Sequence, residues 1–308
     1  MKRNGQPLQT CGIEETERTV GFGKGMRFLT LRNGQGAEAV LSLDRGLDIF
    51  RLNWCGVNMG YLSPNGAVAP TYYDECGFGF VRSYSGGFLT TFGLTAVGPP
   101  CEDGGNVPLH GRISNVPCED YQTEETEDEL VVTAHLRETS VFGEQMTLTR
   151  QISLSKTDGR LTLFDRVKNI GTRPTPCGVL YNMNFGYPFL CEETEVVFDG
   201  RDERMPPPSP EGEETCLALE PKTERVVCGG YNPRLGIGVN IAYQKSELGY
   251  FTRWRCTRSG GYVLALEPAS VPPLPRDVLR KQGQLRLLES GEETTFRLEL
   301  TLTRERSI

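Results

Sequence analysis

Phe296-Arg297-Leu298-Glu299-Leu300-Thr301-Leu302-Thr303 alternates apolar and polar residues at period two. In an extended chain this sends Phe296, Leu298, Leu300 and Leu302 to one face and Arg297, Glu299, Thr301 and Thr303 to the other, which describes a half-buried strand. Met146, Leu148, Ile152 and Leu154 follow the same rule, as do Leu130, Val132, Ala134 and Leu136. Such strands belong to antiparallel sheets with one face on a core and one in water. Turn signals such as Asn33-Gly34 and Asp158-Gly159 punctuate the runs, and 36 glycines with 20 prolines are spread along the whole chain. No capped amphipathic helix of ordinary length stands out. Many short strands with few helices imply an all-β sandwich or barrel. The proline run Met205-Pro206-Pro207-Pro208-Ser209-Pro210-Glu211-Gly212 cannot join a ladder and reads as a surface excursion within one domain spanning 1–308, since strand-like sequence resumes after it. No internal repeat of fixed period is found.

Bulk properties narrow the function. The 308 residues are 37% hydrophobic and 24% charged, enough to bury a substantial core. A formal charge of -7 argues against binding a phosphate backbone, so nucleic acid is not an expected partner. No apolar run follows the basic start Met1-Lys2-Arg3-Asn4, so neither a signal peptide nor a membrane span is expected, and the predicted location is cytoplasmic. Ten scattered cysteines without a C-x-x-C pair then read as reduced, mostly buried thiols. With only His110 and His135, a multi-histidine metal site cannot be built; a hard-cation site made of carboxylates stays open but has no signature, and no metal is expected. Gly21-Phe22-Gly23-Lys24-Gly25 lacks the G-x-G-x-x-G spacing, no P-loop occurs, and no G-x-S-x-G elbow is present, so no nucleotide cofactor is expected.

Four stretches carry candidate chemistry. In Val107-Pro108-Leu109-His110-Gly111-Arg112 a histidine beside glycine in a loop suits acid/base work or ligand binding, although a loop histidine is more often structural. His135 falls on the polar face of its strand and is expected to be exposed. In Tyr262-Val263-Leu264-Ala265-Leu266-Glu267-Pro268 a carboxylate ends an apolar run, with proline expected to stop the ladder directly after it. Burial disfavours the charged form, so Glu267 is either functional or held by a backbone or arginine partner. Cys177-Gly178-Val179-Leu180-Tyr181-Asn182-Met183-Asn184-Phe185-Gly186-Tyr187-Pro188 combines amides, which satisfy vicinal hydroxyls, with aromatic faces, which cover the C–H side of a sugar ring. A Tyr/Asn-rich loop packed on itself would look the same. Asp44-Arg45-Gly46-Leu47-Asp48-Ile49 and Arg82-Ser83-Tyr84-Ser85 bring arginine forks suited to hydroxyls, carboxylates or phosphates, although Asp44 and Arg45 would also pair within a turn.

Taken in order, Asp44-Arg45-Gly46-Leu47-Asp48-Ile49, Leu109-His110-Gly111-Arg112, Asn182-Met183-Asn184-Phe185-Gly186-Tyr187-Pro188 and Leu266-Glu267-Pro268 resemble the galactose mutarotase-like superfamily, and within it the aldose-epimerase-related branch DUF4432. The resemblance covers roughly residues 15 to 305. It implies a large antiparallel β-supersandwich that holds a sugar on its concave face, with no cofactor. It also implies a glutamate base, matched by Glu267, and a first, orienting histidine, matched by His110. The family's second histidine, its usual acid, has no match here, and Asn182 is the nearest equivalent. An amide has no dissociable proton near neutral pH, and losing a general acid typically forfeits about 10²- to 10⁴-fold in rate. Three outcomes follow: His110 serves as acid, a tyrosine such as Tyr181 or Tyr187 replaces it, or the groove binds carbohydrate without turning it over. A hydrolase or lyase on a related sandwich would need a second catalytic carboxylate or a tyrosine base facing Glu267. Arg45, Arg82, Arg112, Asn182, Asn184, Tyr181 and Trp254 complete the expected ligand contacts.

Overall fold

Every alternation read above is found as a strand. Glu293–Thr303 buries Phe296, Leu298, Leu300 and Leu302 to 3% exposure or less, and Glu129–Thr139 and Gln145–Ser155 do the same with their apolar sets. Burying such a side chain contributes about 1.5–3 kcal/mol, so the pattern drives sheet formation. The computed structural model describes residues 5–306, and the basic start Met1–Asn4 lies outside them. Strand makes up about 50% of the chain and helix 6%, which makes it an all-β protein of the galactose mutarotase-like β-sandwich fold. Among the described residues the one α-helix is Arg276–Lys281, and no helix is long and apolar enough to cross a membrane.

Two antiparallel sheets position the candidate site. A nine-stranded sheet runs from Cys118–Glu125 through Glu129–Thr139, Gln145–Ser155, Arg160–Asn169, Glu293–Thr303, Ile237–Gln244, Arg225–Asn232 and Glu195–Phe198 to Arg201–Arg204. A five-stranded sheet lies against it in the order Glu214–Leu219, Tyr250–Cys256, Val263–Ala269, Gly178–Phe185, Leu89–Leu94. A second five-stranded sheet at the N-terminal end joins the same hydrophobic core through Leu29, Leu31, Ala39, Leu41 and Leu52. The proline run after Arg204 carries the chain from the edge of the nine-stranded sheet to the edge strand Glu214–Leu219, with most of its residues exposed.

Asn33 shows how two turns are tied together. Its Nδ2 donates to the carbonyls of Ser155 (3.0 Å) and Asp158 (2.8 Å), while its Oδ1 accepts from the backbone N–H of Gln35 and Ala37. Asn33→Ala leaves buried carbonyls unpaired and is expected to cost about 2–3 kcal/mol, read as a lower urea midpoint at unchanged m. A midpoint equal to the parent's would show that these bonds contribute nothing.

Three expectations need correction. All ten cysteines are free, but only Cys118, Cys177 and Cys228 are buried, because several fall at strand ends and on the edge strand. Pro268 does not stop the ladder. Val263–Ala269 continues through it as the central strand, paired to Phe251 on one side, while the ladder to Gly178–Phe185 skips the Tyr181/Asn182 positions where proline has no N–H to give. Asp44 pairs with Arg27 (2.7 Å) rather than with Arg45.

Candidate functional site

Register decides which side chains share a face of the five-stranded sheet. Directly opposed residues of antiparallel strands project to the same side. Thr90 faces Asn182, and Thr252 faces Glu267. The pairs Leu180↔Ala269 and Met183↔Leu266 bracket Asn182 opposite Glu267. One row across the sheet therefore reads Thr90, Asn182, Glu267, Thr252. The next row toward one end holds Asn184, Ala265, Trp254 and Cys216, and the row toward the other holds Phe92, Leu180, Ala269 and Tyr250. The alternate residues Tyr181, Met183, Phe185, Leu264, Leu266 and Phe251 point the other way, into the core shared with the nine-stranded sheet.

His110 reaches this face from a loop. Its ring stacks on Phe92 with centroids 3.9 Å apart and planes 8° from parallel, and Phe80 meets it edge-on at 5.6 Å. The backbone explains the His-Gly pair. His110 sits at φ 62°, outside the region non-glycine residues prefer, and Gly111 follows at φ 71°. A Cβ on Gly111 would lie 2.1 Å from the Gly93 carbonyl, so only glycine fits there. Backbone bonds from Gly93 N to His110 O and from Arg112 N to Gly93 O clamp the turn to the sheet. By strand spacing, the Phe92 and Glu267 backbones are about 12 Å apart.

Electrostatics set the protonation states. His110 Nδ1 lies 3.0 Å from the Val97 carbonyl, so it carries the hydrogen and Nε2 keeps its lone pair. Burial lowers the imidazole to about 4, against a smaller opposing effect of the Val97 bond, and the ring is neutral at pH 7. Burial alone pushes the Glu267 carboxyl up to about 8. Among the described residues nothing hydrogen-bonds or ion-pairs with Glu267, whose side chain is on the floor of the face at 7% residue exposure. Asn182 Oδ1 across from it is also buried without a partner, a state that costs about 1–3 kcal/mol unless something from outside satisfies it.

The other expected contacts divide. Trp254 is partly buried on the groove face, its Nε1 donating to Glu214 (2.9 Å). Asn184 is on the same face but fully buried and fully used: its Oδ1 accepts from Tyr84 (3.2 Å), and its Nδ2 donates to the carbonyls of Gly87 and Asn182. Arg82 and Arg112 are held by Asp74 (3.4 Å) and Glu75 (2.8 Å). Arg45 does not reach the groove. It is buried, its guanidinium tying together the carbonyls of Ser114, Val68 and Ser83 and the Asn115 side chain. Tyr181 falls on the core side by strand parity, and its hydroxyl donates to Asp165 (2.7 Å). Tyr187 is 78% exposed beyond the strand end. His135 is exposed and paired with Asp120, as its strand position requires.

Tyr84 is the residue the sequence did not single out. It is partly buried, and burial together with the nearby charge of Glu267 pushes its phenol up, so it keeps its proton. No sequence signal marks a lone loop tyrosine. Thr90 and Phe92 were not marked either, since Leu89–Leu94 carries no apolar–polar alternation and is buried throughout. Of metal-ligating groups among the described residues, Cys191, Glu192 and Glu193 bring their atoms within 4.8 Å of one another, the Cys191 thiol donating to Glu193 (3.0 Å). This grouping lies beyond the end of the groove.

The fold is shared with solved structures described as aldose 1-epimerase or galactose mutarotase-like proteins. A provisionally assigned aldose 1-epimerase from Klebsiella pneumoniae superposes with a TM-score of 0.85 at 22% identity, covering 94% of this chain and 83% of that one. A galactose mutarotase-like protein from Clostridium acetobutylicum gives 0.69 at 14% identity over 96% and 99% of the two chains. The galactose 1-epimerase of Lactobacillus acidophilus gives 0.64 at 12% identity over 96% and 100%. At these identities the likeness is one of fold. No curated protein matches the sequence. Residues 23–302 match the domain of unknown function DUF4432, and the chain belongs to that family.

Proposed function

We propose that the groove binds a reducing sugar and interconverts its anomers, with Glu267 moving both protons. The observation that carries this reading is a buried carboxyl without a partner among the described residues, in one row with the unpaired Oδ1 of Asn182 on the central strands of the sheet. Ring opening breaks C1–O5, gives a proton to O5 and takes one from the O1 hydroxyl. In its acid form one carboxyl does both: its O–H protonates O5 while its carbonyl oxygen receives the O1 proton. Rotation about C1–C2 and the reverse steps then close the other anomer.

The surroundings support this assignment over a base and acid pair of Glu267 and His110. The only N–H of the neutral His110 ring is engaged by Val97, so it offers Nε2 as an acceptor that orients a hydroxyl. Asn182 has no dissociable proton, and the Tyr84 proton is donated to Asn184. Trp254, partly exposed on that face, offers an aromatic surface for the C–H side of a ring, while the buried Phe92 and Phe80 fix the His110 ring. Arg82 and Arg112 are already paired, which favours a neutral sugar over a phosphorylated or acidic one.

The test is exchange NMR on a panel of neutral aldoses at pH 7. Anomer exchange faster than in buffer is expected for at least one sugar that also raises the thermal midpoint. Asn182 favours a second reading, a carbohydrate-binding protein without turnover, for which the midpoint would rise with no change in exchange.

A further inference from the structure

We infer that the groove continues into a second subsite, and that the ligand is a reducing oligosaccharide whose terminal ring lies over Glu267. This rests on the reading of the Glu267 groove given above.

A cavity of about 570 Å³ opens at the end of the sheet where Gly178–Phe185 and the turn between Tyr250–Cys256 and Val263–Ala269 finish. Its volume is that of a small-molecule site. Tyr61, Tyr187 and Tyr262 line it, with Asn58, Glu192 and Arg234 between them. Three aromatic rings interleaved with an amide and charged hydrogen-bonding groups suit a sugar's apolar face and hydroxyl edge. Asn58 Nδ2 donates to the Gly60 carbonyl (2.6 Å), and its Oδ1 is buried without a partner.

Tyr61 joins the cavity to the groove. The Tyr61–Leu62 strand pairs with Gly86–Gly87, directly before the strand that carries Thr90, and Gly60 bridges Phe185. Tyr61 is electrostatically coupled to Tyr84 and Cys256, and Tyr84 in turn to Glu267. Trp254, opposite Ala265, stands one row nearer the cavity end of the sheet than Glu267. From Glu267 to Val263 at the strand end is about 14 Å, too far for one ring to bridge.

The experiment compares glucose and galactose with maltose, lactose and maltotriose by calorimetry on the full chain. At least one oligosaccharide is expected to bind about tenfold tighter than its terminal monosaccharide, the gain one aromatic platform provides. Tyr187→Ala, a change at an exposed side chain, is expected to remove that gain and leave monosaccharide affinity unchanged. Cysteine alkylation followed by mass spectrometry gives a second readout. Cys191 in the cavity should be protected by the oligosaccharide alone, and Cys216 in the groove by either ligand. Monosaccharide binding with no oligosaccharide advantage and no Cys191 protection overturns the inference and leaves the groove reading standing. Absence of binding by every sugar overturns both.

Discussion

Replacing Glu267 with glutamine is expected to slow anomer exchange by about 10²- to 10⁴-fold while sugar affinity stays within a few-fold of the parent. The carboxamide keeps the size of the side chain and still donates and accepts hydrogen bonds, so the contacts to O1 and O5 survive. It has no proton to give, and that is the whole of the expected loss. Stability separates this from a folding defect. Among the described residues Glu267 has no hydrogen bond or ion pair to break, and its charged form is disfavoured by burial. The substitution should therefore leave the thermal midpoint unchanged near neutral pH. Loss of rate with a midpoint lowered by many degrees would assign Glu267 a structural role.

Arg150→Met is expected to cost about 3–5 kcal/mol, seen as a fall in thermal midpoint on the order of 10 °C. Arg150 is fully buried between the two functional sheets. It grips Asp165 with two hydrogen bonds (2.8 and 2.7 Å), and also reaches Asp48 (2.7 Å), the Gly46 carbonyl (2.8 Å) and Thr91 (2.9 Å). Tyr181 completes the cluster from the strand that carries Asn182, and Thr91 from the strand that carries Thr90. Removing the cation strands two carboxylates away from water. Pairing Arg150→Met with Asp165→Leu and Asp48→Leu should recover part of the loss, because apolar groups of similar size replace a buried ion cluster at little net cost. A single variant as stable as the parent would show that the cluster is not what ties the sheets.

The strands were legible because burial imposes period two on them. Arg150 was not, for the same reason: it occupies the inward position between Leu148 and Ile152, where alternation predicts an apolar residue. Its partners lie 15 and 102 positions away, a pairing only the fold creates. Glu267 stood out as an acid in an apolar run, and Asn182 as an amide in one. Their opposition across two strands follows from register, which sequence alone does not fix. The Asp-Arg-Gly-Leu-Asp stretch was conspicuous for its charges, yet those charges serve internal bonds. Tyr84 was invisible because loop geometry places it, and no periodicity governs a loop. The protonation states were also out of reach, since they come from burial and from the bond to Val97.

The pH dependence of the exchange rate at sugar well below KM, which reports the ionisations of the free protein, tests the central claim most directly. Tyr84 and Cys216, the titratable groups coupled to Glu267, have both been pushed above their ordinary values and hold their protons near neutrality. His110 titrates near 4, well below the range that matters. If the Glu267 acid form does the chemistry, the rate stays level from pH 6 upward and then falls tenfold per unit above about 8. A rate that instead climbs through pH 8 to a plateau would mean that the carboxylate acts as a simple base, and would contradict the account.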